Sequence, residues 1–360
     1  MPLPPPYQNL DPKERKSRLK EAKSKLIDKA LILAHHYQRD EVWEMADEVG
    51  DSLSLAQIAA ANKEVPFIVF CGVHFMAETA DILATEDQVV TLPDIEAGCP
   101  LADTADPDKV KEAWNFLAAL RLAKDFTPIT YVNSAASLKA FCGDQGGTVC
   151  TSGNAKGVME WAFGQSEKVF FFPDKNLGTF TGRQLGLKDE EIYQWDFLKD
   201  PVEQDGDKIR KAKLIVWKGF CPVHTPFSVR DIDDVKREDP EIKIVVHPEC
   251  EPEVTKSADL VGSTSFIIKE IKNAPKGSRW AVGTDLHLVN RLQKLHPDKK
   301  IQILSQSPIC MCANMDRISP EHLLWNLEEL VKGNIVNQVK VNKDIKKNAK
   351  VALDKMLEVS

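Results

Sequence analysis

Residues 92–104 read LPDIEAGCPLADT, and they place Cys99 just past an apolar run and before a proline. A second stretch, VWKGFCPVHT, repeats this arrangement around Cys221. A third apolar run leads into SPICMCANM, which carries both Cys310 and Cys312. Cysteines at equivalent points of three distant segments indicate that the chain is built from a repeated structural unit.

Three segments of the chain contain the same features in the same order. Each begins with an apolar strand that ends in a polar residue, runs through a helical stretch, and reaches a hydroxyl-bearing turn that opens another helix. The polar residue and the turn hydroxyl are 17, 19 and 16 residues apart, in the pairs His35 and Ser52, Asn133 and Ser152, and His247 and Ser263. The cysteine follows a later strand, 64, 88 and 65 residues after the polar residue if Cys312 is the third. The middle repeat carries an insertion around residues 180–210.

Alternating apolar strands and helical patterns predict an α/β fold with parallel sheets. We expect three pseudo-symmetric three-layer α/β/α domains, at residues 31–100, 101–222 and 223–318. An N-terminal extension and helix at 1–30 precede them, and the C-terminal helices of 319–360 are expected to pack on the first domain. The alternative is that the repeats reflect only the general similarity of α/β units.

The composition is that of a soluble globular protein, with 43% hydrophobic residues, 28% charged residues and a net charge of −7. This acidic balance argues against general nucleic-acid binding, which needs a basic surface. No apolar run approaches the 18 residues of a membrane span, and the N-terminus lacks the order of a signal peptide. We therefore expect a cytoplasmic protein, whose eight cysteines serve metal binding or catalysis rather than disulfides.

Three cysteines that follow strand ends would converge if the repeats surround a threefold axis, because ligands of α/β sheets gather beyond the carboxyl ends of strands. A structural zinc site needs four ligands, usually in close pairs. Three single, distant thiolates instead favour a [4Fe–4S] cluster with one open iron, which can act as a Lewis acid. The pattern predicts dehydration or condensation chemistry on an oxygen-rich small molecule.

The remaining cysteines have simpler interpretations. Cys71, Cys142 and Cys150 are expected to be packing residues. Cys250 and Cys310 lie near the predicted site in the sequence, and both stay open as spare thiols or alternative ligands.

The hydroxyl-bearing turns can bind anions, because helix N-termini present free N–H groups to carboxylate or phosphate. Plain N-capping is the alternative for each turn. We expect His35, Tyr37, His224, His247 and Glu249 to surround the same space, where such side chains can move protons. The sequence has neither a Walker loop nor a G-x-G-x-x-G motif, so a nucleotide cofactor is not indicated.

A set of short motifs occurs between residues 33 and 315, in the order LAHHYQ, VGDSLSLA, GVHFMAETA, AGCPLAD, YVNSAA, CTSGNA, PDKNLG, GFCPVH, VHPEC, VGST and CANM. Together they resemble the quinolinate synthase family, the A protein of NAD biosynthesis. The resemblance implies three pseudo-symmetric α/β/α domains around an oxygen-sensitive [4Fe–4S] cluster. It also implies condensation of iminoaspartate with dihydroxyacetone phosphate to quinolinate, with loss of phosphate and water.

The resemblance also implies roles for individual residues. Cys99, Cys221 and Cys312 match the cluster ligands. Tyr37 and Glu249 match acid–base residues, with His247 as a third catalytic residue. Proton transfer suits Tyr37 and Glu249 if burial shifts their pKa values towards neutral. The positions that hold substrate carboxylates, hydroxyls and phosphate are His35, Ser52, Tyr131, Asn133, Ser152, His224, His247, Glu249, Ser263 and Thr264.

The same resemblance implies functional coupling to L-aspartate oxidase or aspartate dehydrogenase, in a monomer or a homodimer. Three other functions remain open from the residues themselves. They are an aconitase-like hydratase, a cluster protein that acts as sensor or carrier, and a zinc-stabilised binding protein.

Overall fold

The computed structural model describes residues 3–305 and 310–359. Its strands are β1 (Ala30–His35), β2 (Glu48–Gly50), β3 (Phe67–Cys71), β4 (Val89–Thr91), β5 (Phe126–Tyr131), β6 (Thr148–Cys150), β7 (Lys168–Phe172), β8 (Ile192–Trp195), β9 (Leu214–Trp217), β10 (Lys243–Val246), β11 (Leu260–Val261), β12 (Arg279–Gly283), β13 (Lys300–Ile303) and β14 (Gln338–Val339).

The α-helices alternate with these strands along most of the chain. They are α1 (Pro12–Lys25), α2 (Asp40–Trp43), α3 (Ser52–Ala61), α4 (His74–Leu83), α5 (Pro100–Thr104), α6 (Pro107–Ala119), α7 (Ala136–Asp144), α8 (Ala155–Gln165), α9 (Lys175–Gln184), α10 (Gly206–Lys211), α11 (Val229–Glu238), α12 (Pro252–Ser257), α13 (Thr264–Asn273), α14 (Leu286–Leu295), α15 (Ala313–Asp316), α16 (Pro320–Val331) and α17 (Lys343–Val359).

The first of two compact units contains Met1–Cys99, Leu286–Arg291 and Met311–Asn342. Its sheet has the strand order β14-β4-β3-β1-β2, with β1 to β4 parallel and β14 antiparallel to β4. Strand β1 reads ALILAH and is buried over almost its whole length, as is usual for a parallel strand covered on both faces. Its last residue, His35, pairs with Gly50 of β2, so the predicted polar residue lies at the carboxyl edge of the sheet.

The second unit contains Pro100–Asp285, Leu292–Cys310 and Lys343–Ser360. It holds two parallel sheets, with the strand orders β6-β5-β7-β9-β8 and β11-β10-β12-β13. Strand β8 lies at the edge of the first of these sheets and belongs to the insertion around residues 180–210. Thirteen strands fall into three successive ranges of the chain, 30–91, 126–217 and 243–303, and each range forms one of the three sheets. Strands alternate with helices in each range, which confirms the predicted α/β class.

The C-terminal helices do not stay together, contrary to the expectation that 319–360 packs on the first domain. Helix α16 packs against α1 in the first unit, but α17 packs against α7 in the second. The apolar residues Ala349, Ala352, Leu353 and Met356 recur at helical spacing and are buried. Thr148 Oγ1 also donates a hydrogen bond to the carbonyl oxygen of Ala352 at 2.9 Å. Apolar periodicity predicts a buried face of α17 but does not identify the helix that covers it.

Within the described ranges, no helix combines the length and the apolar character that crossing a membrane requires.

Candidate active site

His224, His247 and Glu249 form a buried cluster in the second unit. Nδ1 of His224 donates a hydrogen bond to Oε2 of Glu249 at 2.8 Å, and Nε2 of His224 lies 3.3 Å from Oγ1 of Thr284. The rings of His224 and His247 stack with their centroids 4.4 Å apart. Each of the three side chains is at most 3% exposed. The cluster can therefore hold and exchange protons in a region that excludes bulk water.

The turn that follows β10 presents two members of this cluster. The main-chain N–H of Glu249 donates to Nδ1 of His247 at 3.4 Å, and the N–H of Cys250 donates to the carbonyl oxygen of His247 at 3.0 Å. Because Nδ1 of His247 accepts a hydrogen bond, the ring proton lies on Nε2 in the neutral form. Nε2 then donates to Oγ of Ser152 at 3.2 Å, which joins a predicted turn hydroxyl to the cluster.

The carboxyl group of Glu249 is ionised at neutral pH. Burial by itself would raise the pKa of this group, but the adjacent imidazoles of His247 and His224 and hydrogen bonds from His224 and Tyr131 lower it to about 2. The condition that burial shifts the pKa of Glu249 towards neutral is therefore not met, because the imidazole and hydrogen-bond partners outweigh burial. Glu249 is a permanent hydrogen-bond acceptor in this cluster and is suited to orient His224.

Tyr131 and Asn133 lie at the carboxyl end of β5 in the same unit. Tyr131 is the last residue of the strand, and its side chain hydrogen-bonds to Glu249. Oδ1 of Asn133 is buried and has no hydrogen-bond partner among the described residues. A buried amide oxygen without a donor is costly, so Asn133 is a good candidate for a ligand contact.

The three hydroxyl-bearing turns differ in how they begin their helices. Oγ of Ser263 accepts from the N–H of Phe266 at 3.3 Å, so Ser263 caps α13 and Thr264 is the first residue of that helix. In the first unit Asp51, and not Ser52, caps α3. N-capping therefore accounts for the hydroxyl at Ser263 but not for those at Ser52 and Ser152.

His35 and Tyr37 contact each other in the first unit. Their rings meet edge to face with centroids 4.6 Å apart, and the main-chain N–H of Tyr37 donates to Nδ1 of His35 at 3.1 Å. Both side chains are buried. The strand end of β1 and the short turn before α2 thus hold the Tyr37 ring in one orientation against His35.

The eight cysteines fall into two groups, and none of them forms a disulfide. Cys99, Cys221 and Cys312 are half-buried, whereas the other five are buried. Burial raises the thiol pKa of each buried cysteine, and for Cys310 it raises the value to about 11. A raised pKa disfavours the thiolate, which is the form that binds metals. Cys310 lies in the apolar core of the four-stranded sheet together with Cys250.

Cys221 lies beside the imidazole–carboxylate cluster. Its sulfur, a ring nitrogen of His224 and a carboxylate oxygen of Glu249 all lie within 4.8 Å of one another. Thiolate, imidazole and carboxylate are ligands that zinc and iron accept in proteins. This group is a candidate metal centre within the second unit.

Two residues that contact the cluster were not identified from the sequence. Thr284, which contacts His224, directly follows β12 and so repeats the pattern of a polar residue at a strand end. Asn176, in the PDKNLG motif, donates from Nδ2 to the carbonyl oxygen of Glu249 at 3.0 Å. Strand-end position could have revealed Thr284, but nothing in the local sequence identifies the partner of Asn176.

Comparison with known proteins gives a consistent result. Residues 17–358 match the family model described as quinolinate synthetase A protein. The chain is 48% identical over 356 residues to a protein of Anoxybacillus flavithermus named quinolinate synthase, covering 99% of this chain and 96% of that protein. A protein of the same name from Geobacillus sp. is 49% identical over 359 residues, covering 99% and 97%. Another, from Bacillus cereus strain Q1, is 47% identical over 357 residues, covering 99% and 96%.

Proposed function

The chain belongs to the quinolinate synthetase A protein family, and we propose that it condenses iminoaspartate with dihydroxyacetone phosphate to quinolinate, with loss of phosphate and water, in de novo NAD biosynthesis. The observation that carries this proposal is the grouping of Cys221, His224 and Glu249 within 4.8 Å. In this grouping a thiol that can bind a metal lies beside a buried imidazole that can take up a proton and a carboxylate that orients it, and condensation with dehydration needs both a Lewis acid and a proton-transfer group.

We propose Cys99, Cys221 and Cys312 as the ligands of a [4Fe–4S] cluster. The residues fit this group, because these three thiols are half-buried while the five other cysteines are buried and have raised pKa values. When bound through three thiolates, such a cluster supplies a Lewis acid at its remaining iron.

The proton-handling residues divide between the two units. In the second, the ionised Glu249 accepts the Nδ1 hydrogen bond of His224 and stabilises the imidazolium that forms when Nε2 of His224 takes up a proton. Two other hydrogen bonds orient His247: its Nδ1 accepts from the main-chain N–H of Glu249, and its Nε2 donates to Oγ of Ser152. In the first unit, the Tyr37 hydroxyl serves as the acid–base group that His35 orients through ring contact.

The protein can bind its anionic substrates through hydrogen-bond donors, so a basic surface is not required. The ten-residue helix α13 begins at Thr264, and its first N–H groups together with the hydroxyls of Ser263 and Thr264 can bind a carboxylate or phosphate. Asn133, with its unpaired Oδ1, can accept from a substrate hydroxyl or imine N–H. Tyr131, Ser152 and Ser52 are assigned to further substrate oxygens on the basis of the family motifs.

We also propose that L-aspartate oxidase or aspartate dehydrogenase supplies iminoaspartate in the cytoplasm. An imine hydrolyses readily in water, so production close to the consuming enzyme favours its capture. Replacing added iminoaspartate by L-aspartate, L-aspartate oxidase and a two-electron acceptor other than oxygen should sustain quinolinate formation under anaerobic conditions, and the absence of product would argue against this source.

The test of the proposed function is anaerobic purification followed by iron and sulfide analysis, an absorbance spectrum and addition of both substrates. We expect a brown protein with about four irons per chain that forms quinolinate. Turnover of a hydroxy acid alone would indicate a hydratase instead. A colourless protein with bound zinc and no product would indicate that the cysteines have a structural role.

Ligand variants separate the cofactor assignment from the activity. Cys99→Ala, Cys221→Ala and Cys312→Ala should each lose iron and sulfide, whereas Cys71→Ala, which alters a buried thiol, should retain them. A Cys221→Ala protein with full iron content would remove Cys221 from the ligand set.

A further inference from the structure

Arg291 is a buried arginine on α14, in the part of the helix that belongs to the first unit. Only 5% of its side chain is exposed. One terminal nitrogen donates to the carbonyl oxygen of His36 at 2.7 Å, the other donates to the carbonyl oxygen of Gln38, and Nε donates to Oδ1 of Asp40 at 2.9 Å. The guanidinium carbon also lies 4.9 Å from the ring centroid of Trp43.

The residues that Arg291 contacts lie next to Tyr37 in the sequence. His36 and Gln38 are the residues on either side of it, and Asp40 is the first residue of α2. The guanidinium thus holds both carbonyls that flank Tyr37, while the N–H of Tyr37 is bonded to His35. The backbone of the 36–40 turn is consequently fixed from three directions.

We propose that Arg291 is a positioning residue for Tyr37. The guanidinium of Arg291 holds the 36–40 turn in the geometry that the condensation reaction needs. This inference rests on the proposed function and on the role of Tyr37 within it. Neither the sequence motifs nor the family roles assigned above include Arg291.

The chemistry of the contact explains why an arginine occupies this position. The planar guanidinium can donate to two carbonyls and a carboxylate at once and still stack on an aromatic ring. A lysine ammonium would keep the charge but cannot match these acceptors in one plane. The cation also faces His36, where burial and the charge of Arg291 lower the pKa to about 4 despite the opposing effect of Asp51, so His36 stays neutral near pH 7.

Arg291 affects the placement of the Tyr37 side chain and not only the stability of the fold. Reaction rates depend steeply on the position of an acid–base group, and a displacement of about 1 Å can reduce the rate about 100-fold. Without the guanidinium, the two flanking carbonyls lose their shared donor and the turn can move. The Tyr37 hydroxyl would then sample positions away from the substrate although substrate binding elsewhere is unchanged.

The test compares Arg291→Ala and Arg291→Lys with the wild type in the cluster-loaded enzyme. We expect Arg291→Ala to lower kcat by about 100-fold, with KM values for both substrates and the iron content near those of the wild type. Guanidinium chloride, at concentrations too low to unfold the protein, should restore part of the activity of Arg291→Ala. Arg291→Lys retains the charge and the aliphatic stem, so it reports on placement in a folded protein even if the alanine variant fails to fold.

Arg18→Ala is the matched control within the same unit. Arg18 binds the carboxylate of Glu328 through two hydrogen bonds of 2.9 Å, and its other contacts are with Glu14 and Tyr7. The Arg18→Ala substitution therefore removes an arginine–carboxylate pair and leaves the contacts of the 36–40 turn unchanged. We expect its kcat to match that of the wild type.

A double-mutant cycle with Tyr37→Phe separates positioning from general destabilisation. If Arg291 acts through Tyr37, adding Arg291→Lys to Tyr37→Phe should lower kcat by less than about threefold more. Additive losses, iron loss in proportion to activity, or wild-type kcat in both Arg291 variants would each overturn the inference. If the wild-type enzyme itself forms no quinolinate, the proposed function fails instead, so the two failures are distinguishable.

Discussion

Replacing Glu249 by glutamine tests the electrostatics of the buried cluster. The substitution removes the carboxylate charge and keeps the shape of the side chain, which is only 2% exposed. The pKa of Glu249 falls from an ordinary 4.5 to about 2, and at about 1.4 kcal/mol per pH unit this difference corresponds to about 3 kcal/mol in favour of the ionised form. Glu249→Gln should therefore lower the free energy of unfolding by about 3 kcal/mol near pH 7.

The pH dependence has a definite sign. Because the pKa of Glu249 is lower in the folded state than its ordinary value, the stabilisation is fully present above pH 4.5 and disappears as the pH falls from 4.5 to about 2. The difference in the free energy of unfolding between the wild type and Glu249→Gln should thus be larger at about pH 5 than at about pH 3.

The assay is urea unfolding of metal-free protein, followed by circular dichroism at each pH. Glu251→Gln is the matched control, because Glu251 lies two residues away and pairs with Lys175 at 2.8 Å, but its side chain is 32% exposed. A partly exposed ion pair of this kind contributes about 1 kcal/mol or less. Equal unfolding midpoints for the two variants, or a Glu249→Gln protein as stable as the wild type at pH 7, would refute the electrostatic account of the cluster.

Three further predictions concern the reaction, the cofactor and the fold. Tyr37→Phe should keep the wild-type iron content and lose most of its turnover in the quinolinate assay, and near wild-type turnover would remove Tyr37 from the mechanism. Cys310→Ala should retain iron and sulfide while Cys312→Ala loses them, because only the second thiol is half-buried; the reverse result would exchange the two assignments. Gly143→Ala should lower the melting temperature, since a Cβ there would lie 2.1 Å from the carbonyl oxygen of Asn348 on α17. Gly164→Ala, whose Cβ would meet no atom within 4 Å, is the control and should leave that temperature unchanged or slightly raised.

Much of the fold was predictable because it depends on local patterns. Apolar runs such as ALILAH and KIVV are too short and too uniformly apolar for amphipathic helices, and they form buried parallel strands. The polar residues that end two of the matching strands follow from the same patterns, so His35 and His247 were located correctly at the carboxyl ends of β1 and β10.

The candidate site was predictable only in part. Strand-end position pointed to His247, and His224 and Glu249 were expected in the same space because they lie close in sequence to Cys221 and His247; the structure brings all three side chains into contact in the second unit. The pKa of Glu249 could not be inferred in the same way. Burial and charged neighbours shift it in opposite directions, and their balance depends on distances that residue spacing does not contain.

By itself, the sequence determined the alternation of strands and helices, the polar strand ends and the repeated cysteines, because each of these is a short-range property of the chain. Only the tertiary structure decided which thiols are buried, which helix covers the apolar face of α17, and which side chains hold the predicted catalytic residues. Cys310 and Cys312 are two residues apart and differ in burial, and Arg291 binds carbonyl groups more than 250 residues earlier in the chain. Such outcomes depend on contacts between distant segments, whose free energy is set by packing and burial after the chain has folded.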